Sequence, residues 1–220
     1  MKKALVALVA ILLLAAPSAA SANHALGGVG SPYHWFGTVN ERQVTISDGV
    51  TIPGNPISYN FSGVVSGWNN AGNGFISLTS TTGTAKITTQ RGSYGNNGWL
   101  GLAQLWIKGG HFSRVSVKLN DWYAPYFPEY YTADAAQQTL CQEVGHGLGL
   151  DHQISNSCMN DQNVPPTNYP KPNRHDSEEL RLIYAHLDSG GGKPHKPARE
   201  RGPFVLDVIP APLHGHGHGK

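Results

Sequence analysis

Residues 141–152 read CQEVGHGLGLDH, and from Gln142 onward they follow the spacing HExxHxxGxxH, with glutamine where that pattern opens on histidine. Positions four apart share one face of an α-helix, so Gln142 and His146 point the same way and Glu143 lies beside them, within reach of a water held at a metal. Gly149 takes the left-handed conformation cheaply, so the helix can stop and the chain reverse, returning His152 to the same point. Leu140, Val144 and Leu148 recur every fourth position and predict a buried stripe roughly opposite Gln142 and His146. The helix is expected to start at Thr132, a good N-cap, with Asp134 in its first turn favourable to the dipole. Gly145 inside it costs about 1 kcal/mol relative to alanine, and close packing against a neighbouring segment would explain it.

Glu143, His146, Gly149 and His152 resemble the zinc-binding signature of the metzincin metalloproteases, and Met159 in NSCMN resembles the methionine of the turn that underlies the metal in that clan. The resemblance implies an α+β fold of matrixin-like type: a twisted five-stranded mixed sheet, an active-site helix, a Met-turn and a C-terminal helix. It implies zinc held by Gln142, His146 and His152, in a secreted endopeptidase that hydrolyses peptide bonds through a metal-bound water with Glu143 as general base. The fourth strand of such a sheet forms the edge above the cleft. Leu102, Ala103, Gln104 and Leu105 would there pair with an extended peptide or protein substrate through backbone groups. Relatives often carry a tyrosine two residues after the methionine; Asp161 stands there in this chain, leaving Tyr169 as a substitute. The amide of Gln142 is a neutral and poorer zinc donor than imidazole, so a second reading stands beside the first: a catalytically inactive secreted binding module on the same scaffold.

The chain begins with Lys2, Lys3 and a short apolar run, and residues 1–22 end in Ala20, Ser21 and Ala22. This describes a cleaved secretory signal, and the run is shorter than a membrane span of about 20 residues requires. Its removal takes away two lysines and no acids, leaving a mature chain near neutrality. No basic stripe points to nucleic acid and no second apolar run points to a membrane; the metzincin resemblance implies a secreted monomer acting on peptides. Cys141 and Cys158 are the two cysteines, and an even count in an exported chain favours a disulfide. The metzincin resemblance brings their segments together. A bridge of this span contributes on the order of 3 kcal/mol. The rival role for Cys141, a metal ligand in place of histidine, is opposed by the helix, which sets it about 140° from His146.

Residues 23–188 make one domain of ordinary length. Its first part, to Gly54, is rich in glycine and turn residues, with one alternating stretch at residues 43–46 and no recognisable chemistry. Strands are predicted at Ile57–Phe61, Phe75–Ser80, Ala85–Thr89, Gly101–Trp106 and Phe112–Leu119, with a short helix over 62–70 after the first. His111 has no partner at ligand spacing and reads as structural. The segment HDSEELRLIYAHLD predicts a terminal helix capped by Asp176 and Glu179, with Leu180, Ile183, Tyr184 and Leu187 on one face. Residues 189–220 are rich in glycine, proline and histidine and read as a flexible tail. Within it, 204–209 is apolar enough to dock, and His214, His216 and His218 offer a weak metal site.

Overall fold

A computed structural model describes residues 24–28, 30–37, 42–160, 169–186, 188 and 201–208. The expected signal, Asp161, Leu187 and the three tail histidines lie outside them. The described chain is α+β, with a mixed sheet of six strands and three α-helices. The strands are β1 (Gln43–Ser47), β2 (Ser77–Ser80), β3 (Ile87–Gly92), β4 (Gly101–Lys108), β5 (His111–Asn120) and β6 (Arg201–Val208); the helices are α1 (Phe61–Gly72), α2 (Ala133–His146) and α3 (Arg174–Tyr184). The sheet order is β2-β1-β3-β5-β4-β6. β1 runs parallel to β2 and β3, and β3 parallel to β5, while β4 is antiparallel to both β5 and β6.

Three expectations change. The sheet has a sixth strand, because residues 201–208 leave the presumed tail and pair along β4 from Gly101↔Val208 to Ile107↔Arg201. The first strand is Gln43–Ser47 rather than Ile57–Phe61. Asn60 caps α1 by accepting from the Gly63 N–H, and the Ile57 carbonyl is taken by the Arg91 guanidinium at 2.9 Å. Those backbone groups are therefore committed elsewhere. The third change is at α3, which is capped by Asn173, with Asp176 as the reciprocal partner three residues on, so the capping box starts three residues earlier than expected. Its other end is closed by buried Arg42, which donates to the carbonyls of Tyr184 and His186. Such carbonyls are orphaned at any helix C-terminus, and here a guanidinium satisfies them.

The core joins the sheet to the helices through Val44, Ile46, Ile87, Val115, Val117 and Leu119 from the strands, with Val64, Trp68, Leu140, Val144 and Ile183 from the helices. Each fully buried aliphatic side chain contributes about 1.5–3 kcal/mol. α2 is buried on every face from Gln138 to His146, so the Leu140, Val144 and Leu148 stripe does not divide it into a core face and an open one. Among the described residues no helix is long and apolar enough to cross a membrane.

Candidate functional site

α2 starts as the sequence predicts: the Thr132 side chain accepts from the Ala135 N–H and Asp134 sits in the first turn. It ends in a reversal at Gly149, where φ is +100° and an added Cβ would lie 2.5 Å from the Tyr33 carbonyl oxygen. Only glycine meets both conditions cheaply. The Leu150 N–H donates back to Gly145 O at 3.2 Å. The reversal brings His152 over the helix end, with its Nε2 3.1 Å from the Nε2 of His146.

His146 is fully buried and its Nδ1 lies 2.8 Å from the Leu150 carbonyl. A carbonyl only accepts, so Nδ1 carries the proton and Nε2 presents its lone pair toward His152. Burial, then the neighbouring His152, holds the His146 pKa down to about 3, so the ring is neutral near pH 7, the state that binds metal. Gln142 lies one helical turn earlier, fully buried, and neither amide atom has a hydrogen-bond partner among the described residues. A buried amide left this way costs about 1–3 kcal/mol. A cation held between Gln142, His146 and His152 would give the amide oxygen a partner, and three neutral donors would suit it.

Glu143 is fully buried and faces the start of β4: a Cβ on Gly101 would lie 2.5 Å from Glu143 Oε1. The strand therefore passes directly over the carboxylate. Met159, also fully buried, lies beneath α2, where a Cβ on Gly145 would meet its Sδ at 2.3 Å and Trp68 Cζ2 at 2.6 Å. That contact accounts for the mid-helix glycine. Cys141 and Cys158 are bridged, which ties α2 to the Met159 segment and leaves Cys141 no ligand role.

The expected substrate edge does not stand open. Leu102, Ala103, Gln104 and Leu105 of β4 pair with Asp207, Leu206, Val205 and Phe204 of β6, antiparallel. Tyr169 donates its backbone N–H to Gln138 Oε1 at 2.8 Å.

The sequence reading passed over a second group. His34, His186 and Asp188 place one ligand atom each within 4.8 Å of one another and could hold a metal ion. His34 lies in the stretch read as carrying no chemistry, and His111, read as structural, stands beside it, with ring centroids 4.5 Å apart. The one sequence signal was His186-x-Asp188, which the expected helix hid.

No protein-family model matches the chain, and a search of curated proteins finds no match either.

Proposed function

We propose that the protein is a metal-dependent endopeptidase of metzincin type, with the ion held by Gln142, His146 and His152. The observation that carries this reading is the approach of two imidazole Nε2 atoms to 3.1 Å beside a buried, unpartnered Gln142 amide. The element order supports it: five strands with a helix after the first, then the ligand helix, then a buried methionine under that helix. Zinc bound there supplies Lewis acidity toward the scissile carbonyl and the attacking water.

The chain's own residues do the rest. Glu143 takes a proton from the attacking water and delivers it to the departing amine, restoring its carboxylate. Leu150 fixes the tautomer of His146. β4 offers backbone groups to an extended peptide lying over Glu143. Since β6 holds that edge, substrate binds by displacing it.

The test is cleavage of a peptide library by the chain purified without chelator or metal-binding tag. Glu143→Gln should lower cleavage about 10²- to 10⁴-fold with metal content unchanged. Equal cleavage in the variant ends the mechanism. The neutral donor Gln142 favours one other reading, a secreted binding module that holds peptide without cutting it. It gains if peptide binds and no product forms even after β6 is removed.

A further inference from the structure

The chain beyond α3 does not continue as helix. Arg42 holds the carbonyls of Tyr184 and His186, and His186 and Asp188 come to rest against the N-terminal segment. There the Nε2 of His34 lies 3.0 Å from Asp188 Oδ1, the Nε2 of His186 lies 3.1 Å from the same oxygen, and the two Nε2 atoms are 3.1 Å apart. The Nε2 of His111 approaches that oxygen at 3.3 Å. The other oxygen, Oδ2, is committed to the Gly37 N–H at 2.8 Å and to Arg42 at 3.4 Å. The carboxylate is thus fixed, with one oxygen turned to three imidazoles.

Hydrogen bonding alone serves this arrangement poorly. The Nδ1 of His34 lies 2.7 Å from the Pro32 carbonyl, so the proton of the neutral ring sits there and Nε2 presents a lone pair. That lone pair faces a carboxylate oxygen and a second imidazole nitrogen. Three nitrogens compete for one oxygen, and a proton shared between His34 and His186 is withheld from Asp188. A cation between His34, His186 and Asp188 would satisfy these three and leave His111 free to donate to Asp188. The edge of a tetrahedron with bonds of zinc–nitrogen length is ~3.3 Å, close to the separations of 3.0, 3.1 and 3.1 Å within His34, His186 and Asp188. The same nitrogen-to-nitrogen spacing joins His146 to His152 at 3.1 Å.

We propose that His34, His186 and Asp188 form a transition-metal site separate from the one on α2, with His111 at its edge and water as the fourth donor. Imidazole and carboxylate donors at these spacings select a borderline divalent ion such as zinc rather than calcium or magnesium. The role is structural. The three donors come from the N-terminal segment and the chain just past α3, and His34 also forms a parallel β-bridge with His111, the first residue of β5. One ion clips the two donor segments together beside β5. A cavity of about 540 Å³ lined by Pro32, His34, Gly110, Ile183 and His186 gives it a way in.

Cobalt(II) titration of the full exported chain tests this, using the visible absorption of tetrahedral cobalt. His146→Ala first removes the α2 site, so the result stands whether or not that site binds metal. The His146→Ala chain should bind one equivalent of cobalt with tetrahedral absorption, and its melting temperature should rise on loading. Adding His186→Ala and Asp188→Asn should abolish both the absorption and the rise. The same absorption should persist in His111→Ala on the His146→Ala background; its loss would overturn the three-donor assignment. No cobalt absorption in the His146→Ala chain would overturn the proposal. So would absorption that survives in the triple variant, which would put the cobalt on other residues.

Discussion

The two histidine clusters differ in how their donors are brought together. On α2, Gln142 and His146 are one helical turn apart and His152 follows after a single reversal, so eleven consecutive residues carry the whole geometry. The other cluster draws His34, His111, His186 and Asp188 from segments up to 154 residues apart, and only the folded sheet brings them together. Their surroundings differ as well. His146 and Gln142 are fully buried while the His152 side chain is 30 % exposed; in the other cluster His34 and Asp188 are largely buried and the His186 side chain is 43 % exposed. On α2 the proposed general base Glu143 stands one residue from the proposed ligand Gln142, which would suit chemistry on a substrate; the rim cluster, its carboxylate fixed by Arg42, would suit holding chain segments together. The contrast makes each cluster an internal control for the other.

The largest effect should follow loss of the disulfide. Cys141→Ser with Cys158→Ser frees α2 from the Met159 segment and should lower stability by about 3 kcal/mol. The α2 site should lose metal affinity with it, and the His34 cluster should keep its own. Denaturant melts with metal analysis of the folded fraction check this, and equal losses at both clusters would break the contrast.

Removing β6 comes next. A segment tethered in the same chain competes at a millimolar effective concentration. A chain ending after Asp188 keeps every donor of both clusters and should therefore cleave peptides several-fold faster at low substrate. An unchanged KM would show that β4 is not where peptide binds. Gly145→Ala should have a smaller effect. Alanine gains about 1 kcal/mol of helix propensity, but its methyl would meet Met159 Sδ and Trp68, and such overpacking costs about 1–3 kcal/mol. The melting temperature should fall. A rise would mean that Met159 and Trp68 can move aside.

What the sequence showed follows the same division. Helix α2, its cap and its reversal were legible because each depends on spacing within a short stretch, whereas the disulfide was expected from the even cysteine count and the metzincin resemblance. The period of two in ISYNF, residues 57–61, matches the burial of Tyr59 and Phe61, yet the strand predicted from it does not form, because Arg91 takes the backbone carbonyl of Ile57. Periodicity reports which side chains face inward, not what pairs with the backbone. The pairing of β6 with β4 and the cluster at Asp188 were hidden for a related reason: both depend on chain segments that meet only after the sheet forms. His111 lacks a partner in sequence and has one in space.

The smallest and most specific effect should come from Gln142→His. If Gln142 is a ligand, histidine at this position completes a three-imidazole set and should tighten zinc binding at α2, on the order of tenfold or about 1.4 kcal/mol, since imidazole is the better donor. Catalytic zinc sites keep three protein ligands and an open fourth position, so the substitution leaves room for substrate. Activity can move either way, because a stronger donor also weakens the ion as a Lewis acid, but affinity has one expected direction. Gln142→Ala should move it the other way while relieving the buried amide, so that variant should bind metal more weakly and yet melt no lower in the metal-free state. Both are measured by zinc titration against a competing chelator in a His186→Ala background, which silences the rim cluster. Indistinguishable affinities for parent, alanine and histidine would remove Gln142 from the site. The α2 cluster would then rest on His146 and His152 alone, fewer protein donors than the rim cluster has, and the assignment of chemistry to one and structure to the other would have to be reversed.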